Sequence, residues 1–343
     1  MTRRPRASAR LAPTLACAAL AACGGPSATH SALHPAGPQA ARLHTLWNFL
    51  WITAAAVVVL VVVALALALL RSRRRDAPAT GPAAERGARR VVIAGTGVTL
   101  AILLAVLVSS YLIARDYTAE PSGDTPLRVT LTGHQWWWEV TYSDSVSGRS
   151  VTTANEIHVP VGRTVVVELI SHDVIHSFWV PNLAGKKDLV PGHPGSVWFR
   201  ADRAGVWRGQ CAEFCGHQHA LMGLLVIAQP PAEFARWYQA QLAPAAEPAP
   251  GTAAAKGKEV FLARSCVLCH AIGGTDAAAR TGPDLTHLAS RRTLAAGTLP
   301  NTHAWLGTWV INPQSIKPGA KMPGNTVPAG EMEALIAYLR ELR

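Results

Sequence analysis

Two long apolar stretches without charged residues are the feature that most constrains the fold of this chain. Residues 46–70 and 91–114 are rich in Val, Leu and Ala and contain no Asp, Glu, Lys or Arg. Each stretch exceeds the ~20 residues that a helix needs to cross a bilayer. Buried core helices are the alternative, but they would carry polar residues at regular spacing. We therefore predict two transmembrane helices, within a membrane region of residues 42–115.

Many of the positively charged residues lie close to the apolar stretches. A formal net charge of +11 is compatible with nucleic-acid binding, but many arginines lie before the first apolar run and beside the two spans. The arginines in these positions are Arg3, Arg4, Arg6, Arg10, Arg71, Arg73, Arg74, Arg75, Arg86, Arg89 and Arg90, and others occur farther along the chain. This distribution is a topology signal, so the basic segment between the spans should be cytoplasmic and both ends of the mature chain should lie outside. We expect no nucleic-acid partner.

The first 23 residues have the pattern of a signal peptide: arginines, an apolar run and then small residues. The run LAACG at residues 20–24 resembles a bacterial lipoprotein cleavage box. It would make Cys23 the lipidated mature N-terminus. An ordinary signal peptide, or an uncleaved start with a chance cysteine, remains open.

Residues 116–242 have a different pattern, in which short Val-rich and aromatic runs alternate with Gly and Pro turns. This spacing predicts an antiparallel sandwich or barrel, closed by a helix at 231–242. The predicted strands are 128–131, 135–142, 156–159, 164–170, 196–200 and 223–227. Residues 243–253 form an Ala/Pro linker. A small all-α domain is predicted for residues 254–343, ending in a helix with Met332 on its apolar face.

The most informative loop contains Cys211, Cys215, His219 and Met222. Thiolate, imidazole and thioether together are soft donors, which select copper over calcium or magnesium. Two cysteines indicate thiolates that bridge two coppers, and each copper then needs its own histidine. His176 is the best second histidine. The competitors are His134, His158, His172, His193 and His217, which we interpret as surface or core residues.

This loop, the segment 173–181 and the run QWWW at 135–138 closely resemble cytochrome c oxidase subunit II over residues 42–240. The resemblance implies a cupredoxin-like fold and a dinuclear CuA centre. Its implied ligands are His176, Cys211, Cys215, His219, Met222 and the backbone carbonyl of Glu213. It also implies a magnesium ion shared with subunit I at the Glu213 carboxylate, and electron entry through Trp136, for which a core aromatic is the alternative.

A second motif, Cys266-Val-Leu-Cys269-His270, is typical of covalent c-type haem attachment. Met322, in a constrained Pro- and Gly-rich loop, is the predicted second axial ligand, and Met332 is its competitor. Two disulfides would be the alternative use of the four downstream cysteines in an exported protein. Residues 254–343 resemble a class I cytochrome c, which implies that the carbonyl of Pro283 orients His270.

Together the resemblances imply an electron-entry subunit of a bacterial inner-membrane oxidase, with both redox domains on the periplasmic side. Electrons would pass from cytochrome c, through the built-in haem c and CuA, to subunit I, where oxygen is reduced and protons are translocated. Subunit III is a further expected partner. The alternatives are a CuA-containing nitric oxide reductase subunit and, in a different class, a copper-delivery or assembly protein.

Overall fold

The computed structural model describes residues 28–72, 81–118, 125–143 and 148–343, and for residues 116–118 it describes the backbone only. The predicted signal peptide and Cys23 lie outside these residues and stay predictions. We call residues 125–242 the sandwich domain and residues 254–343 the C-terminal domain.

Two long helices, α1 (Pro38–Ser72) and α2 (Pro82–Thr118), contain the predicted spans. None of the most apolar stretch of either helix is buried within the chain, as expected for helices that face lipid. Both helices run beyond the uncharged stretches. At the start of α1 the side chain of Gln39 donates to the carbonyl of Trp198 at 2.8 Å, so the helix is anchored on the sandwich domain.

The sandwich domain consists of two five-stranded sheets. In spatial order the first sheet contains β3 (Ser150–Ala154), β2 (Trp137–Ser143), β1 (Leu127–His134), β5 (Thr164–Ser171) and β8 (Gly195–Arg200). The second contains β4 (Glu156–Pro160), β10 (Gly223–Gln229), β9 (Gly205–Cys211), β6 (His176–Trp179) and β7 (Lys187–Leu189). Alternate residues of the strands face a shared core, as in β1, where Val129 and Leu131 are buried.

Two details of the sheet prediction are wrong. Strands β1 and β5 pair in parallel, as do β4 and β10, so each sheet is mixed rather than antiparallel. The predicted strand 135–142 begins only at Trp137, because His134 pairs with Trp137 and the two residues between them form the hairpin turn. The closing helix α3 (Pro231–Gln241) is as predicted, and its Phe234 packs into the core.

The C-terminal domain is built from α4 (Ala253–Ala263), α5 (His303–Ile311) and α6 (Ala329–Glu341). Helices α4 and α6 cross so closely that a Cβ on Gly257 would collide with the carbonyl of Ala334. Phe261 and Tyr338 meet edge to face at 6.2 Å beside this crossing. Two short strands of two residues each, β11 (Thr293–Leu294) and β12 (Leu299–Pro300), pair in this domain, and Ala271 and Ala278 form an isolated bridge.

Backbone contacts join the two domains. The buried carboxylate of Glu156 in β4 accepts the N–H groups of Arg292 and Thr293 at 2.7 and 2.9 Å. The N–H of Gly223 donates to the carbonyl of Ala296 at 2.9 Å. These bonds fix one face of the C-terminal domain against the sandwich domain.

Candidate copper and haem sites

The predicted copper ligands lie in one loop and one neighbouring strand of the second sheet. Cys211 ends β9 and Met222 lies directly before β10, so the strand pair holds both ends of the loop. The N–H of Cys211 donates to the carbonyl of Met222 at 2.9 Å, which closes the loop at its base. Cys215 and His219 lie within the loop, and His176 begins β6, which pairs with β9.

The two thiols lie at the centre of the donor group. The Sγ atoms of Cys211 and Cys215 are 3.7 Å apart. His176 Nδ1 lies 3.9 Å from Cys211 Sγ. His219 Nδ1 lies 3.7 Å from Cys215 Sγ. Each sulfur therefore has one imidazole nitrogen beside it.

Two further donors adjoin the thiols. Met222 Sδ lies 3.8 Å from Cys215 Sγ, and the carbonyl oxygen of Glu213 lies 3.2 Å from Cys211 Sγ. The Glu213 side chain is 44% exposed, and its carboxylate lies 4.0 Å from Lys186 Nζ. One residue thus offers its carbonyl to the buried site and its carboxylate to the surface.

His176 is fully buried, and Asp173 holds its second ring nitrogen. Nε2 lies 2.9 Å from Asp173 Oδ1. The same carboxylate accepts the N–H groups of Gln135 at 2.7 Å and Val174 at 2.8 Å. Burial by itself would raise the pKa of Asp173, but these hydrogen bonds lower it to about 2. Asp173 therefore orients the His176 ring so that Nδ1 faces the thiols. No role was predicted for this residue, although a carboxylate three residues before a histidine could have indicated it.

The donor group suits a pair of soft metal ions. A hydrogen bond from Cys215 lowers the pKa of Cys211 well below its ordinary value, and the anion so formed raises the pKa of Cys215. Two adjacent thiolates therefore need cationic charge between them. The His176 ring also requires glycine at position 133, because a Cβ there would lie 2.8 Å from His176 Cδ2. The combination of thiolate, imidazole and thioether favours copper.

Within the described ranges, the tightest cluster of metal-binding side chains combines His176 with the two thiols, and His219 adjoins it through Cys215 at 3.7 Å. Two of the competing histidines have other partners. His158 stacks on Trp237 of α3 with ring centroids 4.0 Å apart. His217 is exposed, edge-on to Trp136 at 6.4 Å.

A cavity of about 680 Å³ lies between the sandwich domain and the C-terminal domain. Its size is that of a typical cofactor pocket. Cys266, Cys269, His270 and Met322, the predicted haem-binding residues, all line it. The competing Met332 is instead buried in the hydrophobic core on α6.

Local contacts prepare His270 as a ligand. Its Nδ1 lies 2.7 Å from the carbonyl oxygen of Pro283, which leaves Nε2 available for a metal. A Cβ on Gly282 would lie 2.7 Å from His270 Cε1, so only glycine allows the ring to sit there. Burial lowers the pKa of His270, which favours the neutral, ligating imidazole at pH 7.

Two other residues of the C-terminal domain shape the cavity. Gln314 Nε2 donates to the carbonyls of Ala320 and Met322, each at 2.8 Å, and so constrains the methionine loop. Arg291 lines the cavity and is buried, and its Nε has no partner within the described part of the chain. A buried cation with an unpartnered donor suits a cofactor that carries carboxylates, as haem does. Sequence reasoning did not find Arg291.

The sandwich domain forms the other wall of the cavity. Trp136 lines it, and the indole Nε1 donates to the carbonyl of Cys215 at 2.8 Å. Gln135 Nε2 donates to the same carbonyl at 2.8 Å. One tryptophan therefore touches both the cavity and a predicted copper ligand.

Comparison with known proteins agrees with this geometry. Residues 143–229 match the family model described as cytochrome c oxidase subunit II, periplasmic domain, and residues 254–343 match the model for cytochrome c. The chain is 38% identical over 319 residues to cytochrome c oxidase subunit 2 of Alkalihalophilus pseudofirmus, covering 91% of each chain. The chain belongs to the cytochrome c oxidase subunit II family.

Other members of the subunit II family match over shorter lengths. Cytochrome c oxidase subunit 2 of Bacillus sp. (strain PS3) is 34% identical over 226 residues, which span 63% of this chain and 62% of the relative. A crystal structure of the periplasmic domain of subunit II from Bradyrhizobium japonicum is 30% identical, with a TM-score of 0.33, and covers 35% of this chain and 96% of that one.

Family membership sets the broad role of this subunit II. It is part of a cytochrome c oxidase and associates with subunit I. Its two domain families imply copper and haem as cofactors. The two apolar helices anchor it in a membrane, with the sandwich and C-terminal domains on the outer side.

Proposed function

We propose that this subunit is the electron-entry part of a haem–copper terminal oxidase in a bacterial inner membrane. Electrons from cytochrome c, or another periplasmic donor, enter through the subunit's own haem c and pass by way of a dinuclear CuA centre to subunit I. Oxygen is reduced to water there, coupled to proton translocation. Bound haem and copper supply one-electron transfer.

The observation that supports this proposal most directly is that Trp136 contacts both predicted sites. The indole lines the cavity that holds the haem-binding motif and donates to the carbonyl of Cys215. Electron entry at Trp136 therefore needs no rearrangement of the two domains. A tryptophan used only for core packing would not have to contact both sites.

The C-terminal domain would hold the haem through four residues. The thiols of Cys266 and Cys269 would attach the haem by adding S–H across its two vinyl groups, sulfur to one carbon and hydrogen to the other. His270 and Met322 would bind its iron. Histidine and methionine together raise the reduction potential, which suits transfer onward to copper.

The sandwich domain would hold two coppers in a rigid cage. Its six proposed donors are His176, Cys211, Cys215, His219, Met222 and the Glu213 carbonyl. Both thiolates would take up part of the charge change on electron transfer, and strands on either side limit movement of the ligands. The surface carboxylate of Glu213 would hold a magnesium ion together with subunit I, and subunit III is a further partner of the complex.

The same proposal assigns roles along the chain. Residues 42–115 anchor the protein, residues 116–242 form the CuA domain, and residues 254–343 form the cytochrome domain. The linker at 243–253 keeps the haem domain near the copper domain. Within this linker, Pro244 and Ala245 pack beside Gly273 of the C-terminal domain.

Oxygen uptake by the intact complex tests the proposal. The complex is purified through a tag on this chain and is supplied with a small artificial reductant, without soluble cytochrome c. We expect rapid, cyanide-sensitive oxygen uptake, and its loss when the complex carries Cys215→Ser. Consumption of nitric oxide in place of oxygen would assign the chain to a reductase instead.

A further inference from the structure

A lysine of the C-terminal domain is buried where the two redox sites meet. Lys317 is 3% exposed. Its Nζ donates to the carbonyls of Trp136 at 3.0 Å, Leu221 at 2.9 Å and Ala295 at 3.3 Å. An ammonium group has three protons, so its whole donor capacity is used here. Two of the three acceptors belong to the sandwich domain and one to the C-terminal domain.

The main-chain segments that Lys317 joins are those that carry the two sites. Trp136 lines the haem cavity, and Leu221 immediately precedes the copper ligand Met222. On its own side, Lys317 begins the loop that reaches the axial Met322 five residues later. One buried cation therefore connects the methionine loop of each site with the tryptophan between them.

Two neighbouring contacts of the same loop also cross between the domains. Gln218 Nε2 donates to the carbonyl of Pro318. Lys321 Nζ lies 3.3 Å from Asp173 Oδ2, but the lysine side chain is 59% exposed. Exposed ion pairs contribute little because water and salt screen them. Lys317 is the buried, fully hydrogen-bonded member of this group.

The charge of Lys317 persists in this environment. Burial lowers its pKa to about 8, while the nearby Cys215 acts in the opposite direction. Three carbonyl dipoles replace the water that a buried ammonium has lost. A fixed positive charge also favours the reduced state of a nearby redox centre, because reduction adds negative charge.

We propose that Lys317 is a positioning residue for electron transfer between the haem and copper sites, acting as a buried cross-link between the two methionine loops. It acts through the backbone that it binds and touches no cofactor. This inference rests on the proposed function, in particular on the assignment of Met222 and Met322.

The test compares Lys317→Met and Lys317→Gln with Lys256→Gln in the purified, fully loaded complex. Lys256 is an exposed lysine of α4, so its variant removes one charge of the same domain without touching the interface. The first readout is hydrogen exchange at the amides of Gly223, Arg292 and Thr293, which donate across the interface. Loss of a charge-assisted hydrogen-bond group should speed their exchange roughly tenfold in Lys317→Met.

The second readout is electron transfer itself. In Lys317→Met we expect haem-to-copper transfer after flash reduction of the haem to slow by a comparable factor, roughly tenfold. Midpoint potentials of both centres should fall in both Lys317 variants, and Lys317→Gln should recover part of the rate because its amide still donates. Lys256→Gln should change none of these quantities.

Two outcomes would overturn the inference. One is unchanged exchange and transfer rates in Lys317→Met with both cofactors bound. The other is equal effects in Lys256→Gln, which would indicate a general charge effect. Failure of the proposed function is distinguishable, because it would appear as absent oxygen uptake in the unmodified complex. Where Lys317→Met fails to assemble, Lys317→Gln provides the same comparisons.

Discussion

The copper and haem sites of this subunit are assembled in opposite ways. The copper donors lie on neighbouring strands and one loop, with sulfur and nitrogen atoms already 3.7–3.9 Å apart. Among the haem-binding residues, Cys266, Cys269 and His270 share one turn and Met322 lies in a later loop, and they line a cavity of about 680 Å³. The sandwich therefore has a complete core without its metal, whereas the haem would form much of the core of its domain.

The largest predicted effect follows from this contrast. Without haem, the apolar side chains that line the cavity of about 680 Å³ would face water in place of the cofactor, which removes much of the hydrophobic stabilisation of this domain. The double variant Cys266→Ser with Cys269→Ser should therefore lose both covalent haem and the ordered C-terminal domain. Absorption spectra and limited proteolysis measure the two losses.

The matched variant removes the other cysteine pair. Cys211→Ser with Cys215→Ser should lose copper but keep a protease-resistant sandwich, because the strands pack through residues such as Leu131 and Phe199. If the haem-free C-terminal domain were as protease-resistant as the native one, it would not depend on haem for its fold. Equal unfolding of both domains in their respective variants would also contradict a difference between them.

A smaller effect is expected at the crossing of α4 and α6. In Gly257→Ala the new Cβ would collide with the carbonyl of Ala334, and overpacking of this kind costs about 3 kcal/mol. Gly307→Ala in α5 is the control, since its Cβ would meet open space and should stabilise the helix by about 1 kcal/mol. Denaturant unfolding followed by haem absorption measures both. Equal midpoints for the two variants would contradict the close crossing.

The smallest effect concerns the preorganisation of the copper site. Asp173→Asn should lower copper affinity roughly 10–100-fold, because the amide no longer holds His176 Nε2 as a carboxylate does. Asp188→Asn, an exposed carboxylate on β7, is the control. Copper titration against a competing chelator gives both affinities. Indistinguishable affinities would show that the sandwich positions His176 without Asp173.

Much of the fold was predictable because its signals are local. The uncharged runs identified both long helices, and the alternating runs identified β1, β4, β5, β8 and β10 together with α3. Strand pairing was only partly predictable. The parallel pairs β1–β5 and β4–β10 join strands far apart in the chain, and alternation of side chains is the same in parallel and antiparallel strands.

Both site motifs can be recognised from the sequence alone, since Cys211, Cys215, His219 and Met222 occupy one loop and Cys266, Cys269 and His270 one turn. Short loops bring such residues together whatever the rest of the chain does. Asp173 lies three residues before His176, so its role is local and the spacing could have indicated it. How Arg291 and Lys317 serve the two sites depends instead on tertiary packing. Their partners lie up to 181 residues away along the chain, as for Lys317 and Trp136. Contacts of that range depend on how whole domains pack, and no local periodicity or spacing records them.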